Sequence, residues 1–184
     1  MAASAATDLN GMTEKNKIII REYESPCGLL KLGSFGDRLC LCDWQVEKHR
    51  GHVDNRLRRL LDAEFEEGSS AVTDRAVAQL DEYFDGRRRR FDIPLLFAGT
   101  DFQKKVWNEL LAIPYGTTIS YAEMASRIAM SKAVRAVANA NGANSISIFA
   151  PCHRVIGSDH TLTGYGGGLD AKRYLLRLEG AITS

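Results

Sequence analysis

No apolar run in this sequence approaches the roughly 20 residues that a membrane-spanning helix needs, so a soluble protein with no membrane partner is expected. Neither sign of charge is in excess. With 24 lysines and arginines against 23 acidic residues, a large electrostatic footprint for nucleic acid is excluded, and any DNA contact has to be local. Signal-peptide and regular disulfide spacing are also missing around Cys27, Cys40, Cys42 and Cys152. That points to free thiols in a reducing, cytoplasmic compartment. His49 and His52 with Cys40 and Cys42 match no standard finger or ribbon spacing, so no metal is expected. What is present, 184 residues at 45% hydrophobic content, suffices for the core of one domain or two small ones.

The chain divides into three stretches. Residues 1–17 are small and polar and read as a flexible tail or an expression remnant. Residues 18–97 begin with an antiparallel strand pattern: Ile18 to Ile20, Gly28 to Leu32 and Leu39 to Trp44, separated by turn residues. Two helical stretches follow. The clearer one repeats Val72, Ala76, Leu80 and Tyr83 at helical spacing before a stop at Asp85 and Gly86. Pro94 and Gly99 lie in a segment that reads as a linker, placing a boundary near Ala98. The run Arg87 to Arg90 follows a turn and reads as a solvated edge.

Residues 98–184 are predominantly helical. Thr100 with Gln103 forms a capping-box pattern ahead of a stripe of Phe102, Val106, Leu110 and Leu111, and Ser120 with Glu123 repeats the signal. Another helix is expected from about Ser131, as N-cap, to Gly142. The short connection before it makes a helix-turn-helix. Its alanines (Ala133, Ala136, Ala138, Ala140) are too short to read base edges in a deep major groove and suit close backbone approach. Ile146 and Ile148 alternate with Ser145 and Ser147 like a short strand leading to Pro151 and Cys152. A glycine-rich loop around Tyr165 precedes a last helix with Ala171, Tyr174, Leu175 and Leu178 on its buried stripe. The expected class is α/β: a small N-terminal α/β domain with an antiparallel sheet, and a mainly helical C-terminal domain carrying the helix-turn-helix and the Cys152 loop.

Pro151-Cys152-His153-Arg154-Val155 places a thiol beside an imidazole. A thiol of ordinary pKa, about 8.5, is mostly protonated at neutral pH, and a neighbouring base is the usual route to the nucleophilic thiolate. Side chains adjacent in an extended segment point to opposite faces, so His153 would act through a water. On its own, a Cys-His dipeptide better fits a buried structural cysteine beside a surface histidine.

The wider pattern decides. FQKKVWNELLAIPYGTTISYAEMA, KAVRAVANANGANSISIFAPCHRVIG and LTGYGGGLDAKRYLLRLEG resemble the O6-alkylguanine-DNA alkyltransferase family over essentially the whole C-terminal half, while the N-terminal half matches that family's variable domain only weakly. The resemblance implies a single-turnover transfer of an alkyl group from O6 of guanine in DNA to Cys152 after base flipping, with O4-alkylthymine as a second substrate and no cofactor. It implies His153 as the base, Glu179 as the carboxylate that orients it, and Asn144 as a hinge. Tyr121 would donate to the departing purine. Arg135 would enter the duplex and fill the space of the extruded nucleotide. Ser120, Tyr121, Ala136, Ala140 and Asn141 would join Arg135 against the minor groove of double-stranded DNA, without sequence preference. The carbonyls of Cys152 and Val155 would read the guanine amine under a loop of Tyr165 and Gly166. A monomer is expected.

From the residues alone, Tyr121 equally suits a core aromatic on a helix stripe, Asn144 a common turn residue, and Arg135 a solvated charge. The chain also departs from the family pattern. Ala129 and Ser131 stand where many members carry Gly and Pro, Ser145 and Ser147 where prolines are frequent, and Ala138 where Gly is. Two rivals remain open: a binding-only module, either a helix-turn-helix regulator or a protein that flags damage, and a cysteine hydrolase built on Cys152 and His153.

Overall fold

The computed structural model describes residues 15–46 and 51–183. Most of the expected tail (residues 1–14) and His49 lie outside the described residues. The first strand already starts within the remainder of that tail: β1 spans Asn16–Ser25, and Lys15 ion-pairs with Glu64 at 2.9 Å.

β1, β2 (Gly28–Phe35) and β3 (Arg38–Trp44) form the antiparallel meander. A further strand, β4 (Ala63–Glu67), pairs parallel to β1, so the sheet is mixed, in the order β3-β2-β1-β4. The helix α1 (His52–Leu61) makes the crossover that a parallel pair requires. β4 carries three glutamates in AEFEE, which is why no strand pattern is visible there. Cys40 and Cys42, two positions apart, would share one face of a regular strand, but here they join different clusters. The register slips at Gly33/Ser34, and this bulge sends Cys42 to the central apolar cluster and Cys40 to a smaller one near α1.

α2 (Ala71–Phe84) opens on a full capping box between Ser70 and Thr73 and buries Val72, Ala76, Leu80 and Tyr83 against the sheet. The expected linker is structured. Leu39 N donates to Pro94 O and Leu96 N to Leu39 O, each at 2.9 Å, so the segment pairs along the outer edge of β3. Farther along the same edge Cys42 N donates to Ser145 O and Ser147 N to Cys42 O, each at 2.8 Å. The Ile146–Ile148 region is therefore a single parallel bridge to β3 and not a free-running strand. Ile148 leaves it at φ +72°.

In the C-terminal half, α3 (Asp101–Leu110) starts on the Thr100/Gln103 capping box. A two-residue strand, β5 (Ile119–Ser120), leads into α4 (Tyr121–Arg127), whose N-cap Ser120 accepts from Glu123 N. α5 (Val134–Gly142) begins later than expected. Ser131 lies in the preceding turn, and the N-cap is Ala133, which offers no side-chain oxygen. Trp107 of α3 is fully buried and donates from Nε1 to Ala140 O at 2.8 Å, fixing α5 against α3. β6 (Val155–Ile156) pairs with β5, and α6 (Leu169–Leu178) closes the chain. On α6 the buried set is Ala171, Lys172, Leu175 and Leu176, whereas Tyr174 is exposed.

Candidate active site

Pro151 ends the segment that pairs with β3, and Cys152–Arg154 then turn as one short 3-10 helix. This turn buries Cys152, His153 and Arg154 in succession. Of these, His153 and Arg154 converge on Glu179, the C-cap of α6.

Glu179 is 5% exposed and faces only donors. Its Oε1 accepts from His153 Nε2 at 2.8 Å, Arg154 Nη2 at 2.9 Å and Tyr83 Oη at 2.8 Å. Oε2 accepts from Arg154 Nε at 2.9 Å and Gly116 N at 3.4 Å. Burial pushes this carboxyl up, but charge and hydrogen bonds from His153 and Arg154 outweigh it and hold the group well below the carboxylate range. Burial pulls His153 below its ordinary value against the raising effect of Glu179, with Arg154 and Lys172 adding to the fall. The ring is therefore neutral near pH 7, with Nε2–H directed at the carboxylate and Nδ1 left as a lone-pair acceptor. Nδ1 is buried and has no protein partner among the described residues.

Burial also raises the Cys152 thiol, against lowering contributions from Asn144, Lys172 and Ser147, so the resting sulfur is protonated. No direct hydrogen bond joins Sγ to the imidazole among the described residues, as the sequence reading expects. Sγ faces a cleft of about 10 Å³ lined by Asn141, Gly142, Asn144, Ser147, Gly164, Tyr165 and Gly166. Such a space admits about one water and no purine. A larger cleft, of about 810 Å³, lies between the halves behind Arg154 and Phe149 and does not include Cys152 in its walls.

Several candidates gather around this cleft. Asn144 donates to Ala150 O at 2.9 Å and accepts from Ile146 N at 3.0 Å, bracing the chain between α5 and Cys152. The Tyr121 hydroxyl reaches Thr163 O at 3.4 Å. Tyr165 and Gly166 cover the thiol. The carbonyls proposed as guanine readers already have partners: Asn141 Nδ2 on Cys152 O at 3.4 Å and Lys172 Nζ on Val155 O at 2.7 Å. A carbonyl keeps a second lone pair, so both remain able to accept.

On the outer face of α5, Arg135 and Ala136 are exposed, and Ser120 is half-buried at the start of α4. Ala140 and Asn141 do not belong with them. Each is 4% exposed, because the helical period turns them inward beneath Trp107 and toward Cys152. Asn141 is a part of the thiol pocket, not of the outer surface.

Three residues escaped the sequence reading. Tyr83 and Arg154 complete the Glu179 shell. Lys172, fully buried, donates to Val155 O and to Thr163 O at 3.0 Å. Burial pulls its pKa to about 8, with Cys152 acting in the opposite sense. A lysine on an otherwise apolar helix face was the only available signal for it.

Comparison with known proteins adds an independent line. Residues 18–97 match the profile of the 6-O-methylguanine DNA methyltransferase ribonuclease-like domain, and residues 101–181 that of the family's DNA binding domain. A methylated-DNA--protein-cysteine methyltransferase of Mycolicibacterium paratuberculosis is 44% identical over 165 residues, covering 86% of this chain and 90% of that protein. One from Mycobacterium bovis is 57% identical over 104 residues, where the match spans 56% of this chain and only 63% of the relative's length. The crystal structure of Mycobacterium tuberculosis OGT in complex with DNA superposes with a TM-score of 0.75 at 43% identity, covering 89% of this chain and 93% of that one.

Proposed function

The chain belongs to the 6-O-methylguanine DNA methyltransferase family, and on that premise we propose that it repairs DNA by moving an alkyl group from O6 of guanine onto its own Cys152, once per molecule. The observation that carries this reading is the His153–Glu179 pair at 2.8 Å, which leaves Nδ1 as a buried acceptor one residue from the thiol.

The Cys152 proton passes to Nδ1 through a bridging water, and Glu179 stabilises the charge that forms on the ring. The thiolate then displaces the alkyl carbon: an S–C bond forms, the C–O6 bond breaks, and its electron pair stays on the purine. Tyr121 donates to the ring as this charge develops, and the proton taken from sulfur is returned to guanine. Atoms and charge balance without a co-reactant. A thioether has no easy leaving route, so the sulfur is consumed.

For the DNA, Arg135 and Ala136 on the exposed face of α5 make the minor-groove contact, with Arg135 filling the gap of the extruded base. Asn144 keeps that helix in register with the thiol. We take residues 18–97 and 98–184 as the two working units, and a monomer as the active form. Guanine is the substrate that the pocket carbonyls favour; O4-alkylthymine is a weaker expectation.

The test is intact-mass measurement after mixing the full chain with duplex DNA containing O6-methylguanine. A gain of one methyl, mapped to Cys152, is expected. Binding without mass gain would establish a damage-flagging module instead, and multiple turnovers of an ester would favour a hydrolase.

A further inference from the structure

The thiol cleft has two walls of different character. One wall, from Asn141 to Ser147, is pinned: Asn141 and Asn144 are committed to Cys152 O and Ala150 O, and Ser147 N is bonded to Cys42 O at 2.8 Å. The opposite wall is the loop of Gly164, Tyr165 and Gly166. Its ends are held, with Lys172 and Tyr121 donating to Thr163 O and with α6 starting after Gly168. Its middle is glycine on either side of Tyr165. A purine enters a cleft of about 10 Å³ only if this second wall recedes.

What Tyr165 leans on is Trp44. The rings meet edge-on with centroids 5.8 Å apart, and Trp44 is 1% exposed. A Cβ at Gly167 would sit 2.6 Å from Trp44 Cδ2, so the loop backbone lies directly on the indole. Trp44 and Cys42 are both on β3, two residues apart. Cys42 therefore anchors the fixed wall through its backbone, and Trp44 supports the movable wall through its ring. The separation of the walls is set by a strand of the N-terminal sheet that itself supplies no lining residue.

We propose that Trp44 is a positioning residue that limits how far the Tyr165 loop withdraws from Cys152, and thereby selects which O6 substituents reach the sulfur. This rests on the transfer reaction proposed above. Shortening the indole gives Tyr165 room to retreat, which matters little for a methyl group and much for a benzyl group.

The experiment measures second-order alkylation rates by intact mass for the full chain and for Trp44→Leu, Trp44→Phe and Gly167→Ala. The two substrates are duplex DNA with O6-methylguanine and the free base O6-benzylguanine. Trp44→Leu should raise the benzyl-to-methyl rate ratio roughly fivefold, the scale of one aromatic edge contact. Trp44→Phe, which keeps an aromatic face, should restore most of the original ratio. Gly167→Ala should slow both reactions in the Trp44 background and be relieved when combined with Trp44→Leu. If Trp44→Leu does not fold, relief of Gly167→Ala by Trp44→Phe decides in its place. A ratio that stays fixed while both rates fall together, or a Gly167→Ala defect that no change at Trp44 relieves, overturns the proposal. An unmodified chain that gains no alkyl mass from either substrate overturns the transfer reading itself.

Discussion

Replacing Glu179 with Gln isolates one charge without changing the volume of the site. Five donors face the carboxylate, three on Oε1 and two on Oε2. The amide keeps one oxygen, which belongs at Oε1, and must then turn its NH2 toward Arg154 Nε and Gly116 N, donor against donor. Arg154 is 6% exposed and is left without a countercharge. Removing one partner of a buried pair costs about 3–5 kcal/mol. The retained oxygen still serves three donors, so a loss of about 3 kcal/mol is expected for Glu179→Gln, or a fall in Tm of about 6–12 °C for a chain of this size. The pH dependence has a definite sign. The folded-state carboxyl lies well below its ordinary value of 4.5, so its contribution is full above that value and is lost as pH falls toward the folded one. Urea unfolding at pH 7 and at successive steps below pH 4.5 should show the two proteins converging as acid is added. A gap that is absent at pH 7, or that stays constant down the series, would refute the assignment of Glu179 as an ionised, Arg154-paired carboxylate.

Cys152→Ala should abolish methyl gain in intact mass while leaving DNA binding measurable by anisotropy; residual transfer would move the nucleophile elsewhere. Arg135→Ala should slow repair of duplex DNA more than reaction with a free base, and equal losses on both would reject its place in the duplex. Alkylation by a free base should hold its rate down to about pH 6.5 and fall below it, because the imidazole titrates beneath its ordinary value of 6.5; a fall already under way at pH 7.5 would remove His153 as the base. Ala129 sits at φ +58°, a conformation that costs an L-residue about 1–2 kcal/mol. Ala129→Gly should therefore stabilise the protein by roughly 0.5–1 kcal/mol in urea unfolding, after the greater unfolded-state entropy of glycine is set against the relief.

The parts legible in the sequence were those written in local chemistry. Thr100 with Gln103, Ser120 before Glu123, and the Val72–Tyr83 stripe each specify a helix end or face within a few residues. The His153–Glu179 partnership was reachable through the family resemblance, and its 2.8 Å contact stands in the structure. What stayed hidden depends on partners distant along the chain. Tyr83 meets Glu179 across 96 positions and Arg56 meets Ala143 O across 87, separations that no local pattern encodes. Ser131 misled because a cap-forming residue was available two positions before the actual N-cap, Ala133, where the chain first had to turn. Ala140 and Asn141 misled because a helix built of small residues shows too little contrast between its faces for periodicity to tell the buried one.

The outer side of β3 bonds to Pro94 and Leu96 at one end and to Ser145 and Ser147 at the other. Unoccupied, that margin would be a row of bare amides and carbonyls beside an apolar surface, a template on which a second molecule could continue the sheet. Severing the protein near its midpoint would therefore not yield two well-behaved pieces, since the front fragment would be left with an adhesive flank. The segment that leads to Cys152 thus also occupies the margin of β3 on which a second molecule would otherwise pair.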